Sequence, residues 1–120
     1  MRSLGSQSAF DVMAKPLQHQ IIARALEIIS DEAHWTRASI ARTADGSPCV
    51  CLDPLAFKFC AVGALYRAAG ELLGDGFEHV FKTAKFLLAA NNRGSDSLPR
   101  INDIEGHLVI VAMFKVALAS

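Results

Sequence analysis

The sequence predicts a mostly all-α fold: one compact domain of four helices packed around a buried central one. Three observations predict it. Apolar residues recur at helical spacing in four segments, separated by stretches rich in Gly, Pro, Asn and Asp. One of those segments is apolar around nearly its whole circumference, the mark of a helix covered on all sides. With 120 residues, 52% hydrophobic and 20% charged, the chain can build one real core and is too short for two ordinary domains.

Residues 1–13 carry Ser, Gly and Gln where structure-forming residues would be needed, so they read as a flexible lead-in to a domain over 14–120. A first helix is expected over 16–30. Pro16 suits its first turn, and Leu17, Ile21, Ile22, Ala25, Leu26, Ile28 and Ile29 form the inner stripe. Over 36–52 the helical period is lost. The Asp45-Gly46 pair and Pro48 mark a turn, and Cys49-Val50-Cys51 returning after it suggests a small hairpin or an irregular insertion. Asp53-Pro54 then reads as a helix start, a capping carboxylate followed by proline in the first turn, with Gly70 as the left-handed stop. The helix between them, 53–69, is the apolar one and is expected to be central. A third helix opens near Asp75 and Glu78, the spacing of a capping box. Phe77, Val80, Phe81, Ala84, Leu87 and Leu88 are its expected inner stripe, and Asn91-Asn92-Arg93-Gly94 closes it. Residues 95–100 read as a polar loop. The last element, 107–118, has strand-favouring Val109, Ile110 and Val111. Its length, Asp103 as a cap and the spacing of Val109, Ala112, Met113, Val116 and Ala117 favour helix.

The charge balance narrows function. Twelve basic and twelve acidic residues leave no net charge, whereas phosphate binding calls for a basic excess, so nucleic acid is disfavoured as a partner. No apolar run approaches the ~20 residues of a membrane span, and the N-terminus lacks the apolar core of a signal peptide. A cytoplasmic protein with reduced thiols is the expectation, since Cys49, Cys51 and Cys60 are odd in number and confined to one stretch.

Phe59-Cys60-Ala61-Val62-Gly63-Ala64-Leu65, with Ile101-Asn102-Asp103-Ile104-Glu105-Gly106 later and Trp35 after the first helix, resembles a family of small bacterial and phage proteins of unknown function. That family pairs an aromatic-Cys-Ala-x-Gly-Ala-Leu helix with a late Asn-Asp-x-x-Gly turn and a C-terminal helix. The resemblance implies an architecture and no mechanism. The last helix here is more apolar than the family's.

Several residues could carry chemistry. Cys60 could be a nucleophile with His107 or His79 as base and Asn102 or Asp103 as orienting group. Against this, a reactive thiolate sits in the first turn of a helix, and a helix capped at Asp53 would place Cys60 nearly two turns in. A structural Cys60, sharing a small-residue face with Gly63 and Ala64 that lets another helix approach, is the favoured reading. Cys49, Cys51 and Cys60 with His34 or His79 could be counted as zinc ligands, but they lack the paired spacing of zinc sites, and no metal or cofactor is expected. Asn102, Asp103 and Gly106 could line a polar site, although a turn and a helix cap account for them. Trp35 reads as a core anchor, with a groove formed by Trp35, Arg37 and Tyr66 as the alternative.

Two classes of function follow. The favoured one is a non-catalytic binding or regulatory module that forms a homodimer through the C-terminal helix, because Leu108, Ile110, Val111, Phe114 and Leu118 exceed what one buried stripe needs. The alternative is a small cysteine-dependent hydrolase or transferase using Cys60, His107 and Asp103.

Overall fold

The computed structural model describes residues 16–75 and 77–120; the expected lead-in over 1–13 lies outside the described residues. In chain order the elements are α1 (Leu17–Ile29), a 3-10 turn (Glu32–His34), β1 (Ala41–Thr43), β2 (Ala56–Phe59), α2 (Ala61–Leu73), α3 (Phe77–Ala90), α4 (Leu98–Glu105) and α5 (His107–Leu118). The fold is mostly α, as its periodicity implies, with five helices described rather than four. No helix among the described residues is long and apolar enough to cross a membrane.

The largest departure from expectation is where the central helix starts. Asp53 does not cap it: its carboxylate accepts the Leu55 N–H at 2.8 Å, an Asx turn. Ala56–Phe59 is then a strand, antiparallel to β1 with Ala41 opposite Phe59 and Arg42 opposite Lys58. An Asx turn and an alternating Phe57-Lys58-Phe59 segment with a partner strand at hand outcompete a helix start. The hairpin-like return onto β1 is short, with Thr43 N–H bonded to the Ser47 carbonyl at 2.9 Å and Cys49 N–H to the Ala41 carbonyl at 3.0 Å, and the non-helical insertion runs on past 52 through β2. Helix α2 instead begins at Ala61 and runs past Gly70 to Leu73, where Gly74 closes it at φ +78.

Helices α1 and α2 share the centre. Ile21, Ile22, Ala25 and Ile29 of α1 meet Ala61, Ala64, Leu65 and Ala68 of α2, all fully buried. The small residues on α2 let the two helices approach closely, and α3 and α5 close the bundle. Helix α3 buries Val80, Thr83, Leu87 and Leu88, but Phe81, expected in the inner stripe, is 78% exposed. Asn92 supplies the left-handed residue at its end (φ +58), and the Arg93 N–H returns to the Leu88 carbonyl at 2.8 Å.

The polar loop expected over 95–100 ends at Ser97, and residues 98–100 already belong to α4. Ser97 caps it by accepting the Arg100 N–H at 3.4 Å, and Pro99 sits in its first turn. Asp103 therefore lies within α4 and does not cap the last helix; Gly106, at φ +93, makes the sharp junction between α4 and α5. The α5 face is rotated from expectation. It buries His107, Ile110, Met113, Phe114 and Ala117, leaving Ala112 and Val116 exposed. Phe114 and Ile110 are thus core residues, and they cannot belong to an outer association surface.

A charge cluster clasps the approach to α4. The Arg93 guanidinium donates to Glu105 at 2.8 Å and to Asp96 at 2.6 Å, and Arg100 reaches Asp96 at 3.3 Å. Arg93 holds the Glu105 carboxyl below its ordinary range. Asp96 is held low by the Ser97 N–H first and by Arg93 second. Groups depressed in the folded state contribute stability above their unfolded pKa and lose it as pH falls through the folded value. The melting-temperature gap between the wild type and Arg93→Gln should therefore be widest near neutrality and close as pH drops below about 4. A gap that stays constant across a pH series of thermal melts would show that the clasp is not ionic.

Candidate functional site

The side chain of Asn102, fully buried on α4, joins segments far apart in sequence. Its Oδ1 accepts the Trp35 indole N–H at 2.7 Å and the Ala61 backbone N–H at 2.9 Å. Its Nδ2 donates to the Thr36 carbonyl at 3.1 Å and to Asp103 Oδ1 at 3.0 Å. The full hydrogen-bonding capacity of a carboxamide is used. Asp103 Oδ1 also accepts the N–H of Ala38, which sits at φ +64, a conformation an alanine adopts only where its surroundings impose it. Arg37 lies over the Trp35 ring, 4.9 Å from its centroid, and fills the space beside Gly106, where a Cβ would come within 3.3 Å of the guanidinium. The Trp35, Cys60–Gly63 and Asn102–Gly106 segments thus dock on one another.

Cys60 is the N-cap of α2, a position the expected helix start concealed. Its Sγ accepts the Gly63 N–H at 3.3 Å. The helix terminus by itself would favour a thiolate, yet burial pushes this thiol above its ordinary value. The Gly63 and Val62 N–H groups offset part of that rise, and neighbouring Asp103 adds to it. The first turn is closed besides, because Ala61 already donates to Asn102 and Gly63 to the sulfur. What approaches α2 at Gly63 is a strand-leading backbone and not another helix: a Cβ there would lie 1.9 Å from the Ile40 carbonyl oxygen.

The other candidates divide. Cys60 and Asp103 border the same depression, together with Ser39 and Pro99. His107 is not part of it. Its Nε2 donates to the Ile29 carbonyl at 2.6 Å and its ring packs 5.5 Å from that of Trp35, so it is committed to the core. His79 sits on α3 and also does not line that depression. A Cys60–His107–Asp103 constellation is therefore not assembled. Trp35 is buried with Arg37 over its ring, and the depressions that Tyr66 lines include neither of them. Among the described residues no three His, Cys, Asp or Glu side chains converge to hold a metal ion.

Tyr66 instead lies in a trough along the outer flank of α2 that the sequence did not reveal. Three adjoining depressions of about 280, 430 and 310 Å³ share Ile40, Val62, Tyr66 and Pro99 at their joins. Val62 and Tyr66, one helical turn apart, form the floor. Val50, Cys51 and Leu52 form one wall, and Phe81 of α3 stands on the other. Val50 is 68% exposed and Leu52 is 52% exposed. The alternation of Val50 and Leu52 around Cys51 was the only local hint. At the α2 N-terminal end lies exposed Asp103, which forms no ion pair among the described residues. A larger depression of about 640 Å³ borders Pro16, Gln20, Arg24 and Glu27. Its charged residues already pair with one another, Arg24 with Glu27 at 3.2 Å, so it offers less to a ligand.

A family described as of unknown function (DUF6197) matches residues 13–119 of this chain. No curated protein and no solved structure matches it.

Two stability tests follow from the packing. Asn102→Leu should cost on the order of 3 kcal/mol or more, because it strands the Trp35 and Ala61 donors and the Thr36 carbonyl at about 1–3 kcal/mol each. Gly63→Ala should cost about 1–3 kcal/mol or more through its collision with Ile40, whereas Cys60→Ser, which keeps a capping acceptor, should stay within about 1 kcal/mol of the wild type. Urea denaturation midpoints measure all three. A Gly63→Ala protein as stable as the wild type would mean that Ile40 does not rest on α2.

Proposed function

We propose, for a chain that belongs to the DUF6197 family of unknown function, a non-catalytic role: it binds an amphipathic helix of a protein partner in the trough along α2. The observation that carries this reading is the apolar trough itself, an open run of Ile40, Val50, Leu52 and Phe81 around the Val62–Tyr66 flank. Contiguous exposed apolar surface marks an interaction site in a small domain. Two of its three depressions are near or below the smaller end of drug-sized pockets, about 300 Å³. In series they suit an elongated apolar stripe with anchors at i, i+4 and i+7. Asp103, without a cation of its own at one end, favours a partner helix that places a Lys or Arg there. Catalysis finds no comparable support, since Cys60 is held protonated and His107 is bonded into the core.

A second reading has a specific basis as well. Leu108, 82% exposed, with Ala112 and Val116 forms a short outward stripe on α5 through which two copies could meet in a homodimer.

Selection from a phage-displayed library of amphipathic helices tests the first reading. Binders should share an apolar stripe and a terminal basic residue. Phe81→Asp should abolish their binding, and Asp103→Asn should weaken it about tenfold, equivalent to ~1.4 kcal/mol, with melting temperatures unchanged. Binders indifferent to both substitutions would sink the proposal. Light scattering across concentrations decides the second: a mass that doubles in the wild type and not in Leu108→Glu identifies the α5 dimer.

A further inference from the structure

One wall of the trough rests on a glycine. Val62, Tyr66 and Gly70 follow one another at four-residue spacing along the same flank of α2. Leu52 lies across Gly70: a Cβ built there would come within 2.6 Å of Leu52 Cδ2 and 3.3 Å of Cδ1. The backbone that carries Leu52 is not free to retreat. Arg67 Nη1 donates to the carbonyls of Cys51 at 3.0 Å and Asp53 at 2.8 Å, one on either side of Leu52. Arg67 is itself held by Glu71 at 3.4 Å and stacks over Phe59 at 5.6 Å, and Glu71 is gripped by Arg24 at 2.6 Å. Only the Leu52 side chain can yield to a larger residue at position 70.

We propose that Leu52 and Gly70 form a specificity-determining pair: the space above Gly70 parks the Leu52 side chain, and this sets the width of the trough beside Tyr66. The proposal rests on the reading of the trough as a binding surface. A side chain at position 70 evicts the Leu52 methyls. Their nearest apolar surroundings are Ile40, Val50 and Tyr66, which line the same depression as Leu52. Burial among them is favoured over exposure to water, so the evicted side chain narrows the trough and excludes bulky apolar groups. Arg67 is a positioning residue in this arrangement, since it converts a change at position 70 into a change of rotamer and not a shift of the loop.

Gly70→Ala, Leu52→Ala and the double variant test the pair, with circular dichroism confirming that each is folded. In the wild type, nuclear Overhauser contacts should join the Leu52 methyls to the Gly70 α-protons. In Gly70→Ala they should join the same methyls to the Tyr66 ring. Nile red, a bulky uncharged apolar probe, should bind Gly70→Ala about tenfold more weakly than the wild type, the range expected for crowding a hydrophobic pocket by one or two carbons. Adding Leu52→Ala to Gly70→Ala should restore binding. Leu52 methyls that stay away from Tyr66 in Gly70→Ala overturn the pair whether or not the probe binds. Probe binding in the wild type that is insensitive to Phe81→Asp overturns the trough as a binding surface, and the specificity role with it.

Discussion

The buried carboxamide of Asn102 is the constraint on which the remaining geometry depends, because no other side chain of its size offers two acceptor sites and two donors in one plane. An aspartate would have no proton for the Thr36 carbonyl, and a leucine would leave three backbone or indole groups buried without partners. Those groups belong to the segment after α1 and to the first residue of α2, and Asn102 ties both to α4. Fixing them together decides where α2 begins and which way Trp35 points. It also forces the chain between them through a tight path, where Ala38 takes a left-handed conformation with its N–H on Asp103. A polar network in a low-dielectric interior is worth keeping only when every member is satisfied, and here Asn102 is.

This arrangement bears on the thiol at the N-terminus of α2. The dipole that would favour a thiolate is present, and the Gly63 N–H that donates to the sulfur acts the same way, but Ala61 already donates to Asn102. Burial, with the neighbouring Asp103, outweighs these and raises the thiol above its ordinary value. The close seat of Ile40 on Gly63 covers the same corner from outside. The N-terminus of α2 is spent on structure, and the accessible surface of the helix is its flank.

How much of this the sequence disclosed depended on whether local and long-range preferences agreed. Where they did, at α1 with its isoleucine stripe and at the Asn91–Gly94 stop, the elements fall where periodicity puts them. They disagreed at 53–60. Asp53-Pro54 carries a strong local start signal, but its carboxylate finds a nearer donor at Leu55, and the next four residues have a strand partner fifteen or so positions upstream that no local pattern announces. That single shift hid the capping role of Cys60 and turned Gly70 from an apparent stop into a seat for Leu52. In α5 an almost uniformly apolar sequence gives little information about which face is inward. In the structure His107 bonds the Ile29 carbonyl, and Ile110 and Phe114 share its inward face. Trp35 as an anchor and Asn102 as a conspicuous polar residue were visible in the sequence; their contact, 67 residues apart, was not.

The two sides of α2 put opposite demands on its composition, and that contrast is the strongest argument that its flank has a use. Toward α1 the helix presents Ala61, Ala64 and Ala68, small residues that let the neighbouring helix close over them completely. On the other side Val62 and Tyr66 are larger and half-buried, and of the residues around them Val50 and Phe81 stay largely in water while Ile40 is partly exposed. Nothing in the packing of the core requires Phe81 to be aromatic or Val50 to be apolar, since neither is buried. An isolated exposed apolar side chain needs no explanation. Several that border one continuous trough, with a wall pinned by Arg67 and a floor on α2, are the apolar surface on which the proposed binding rests.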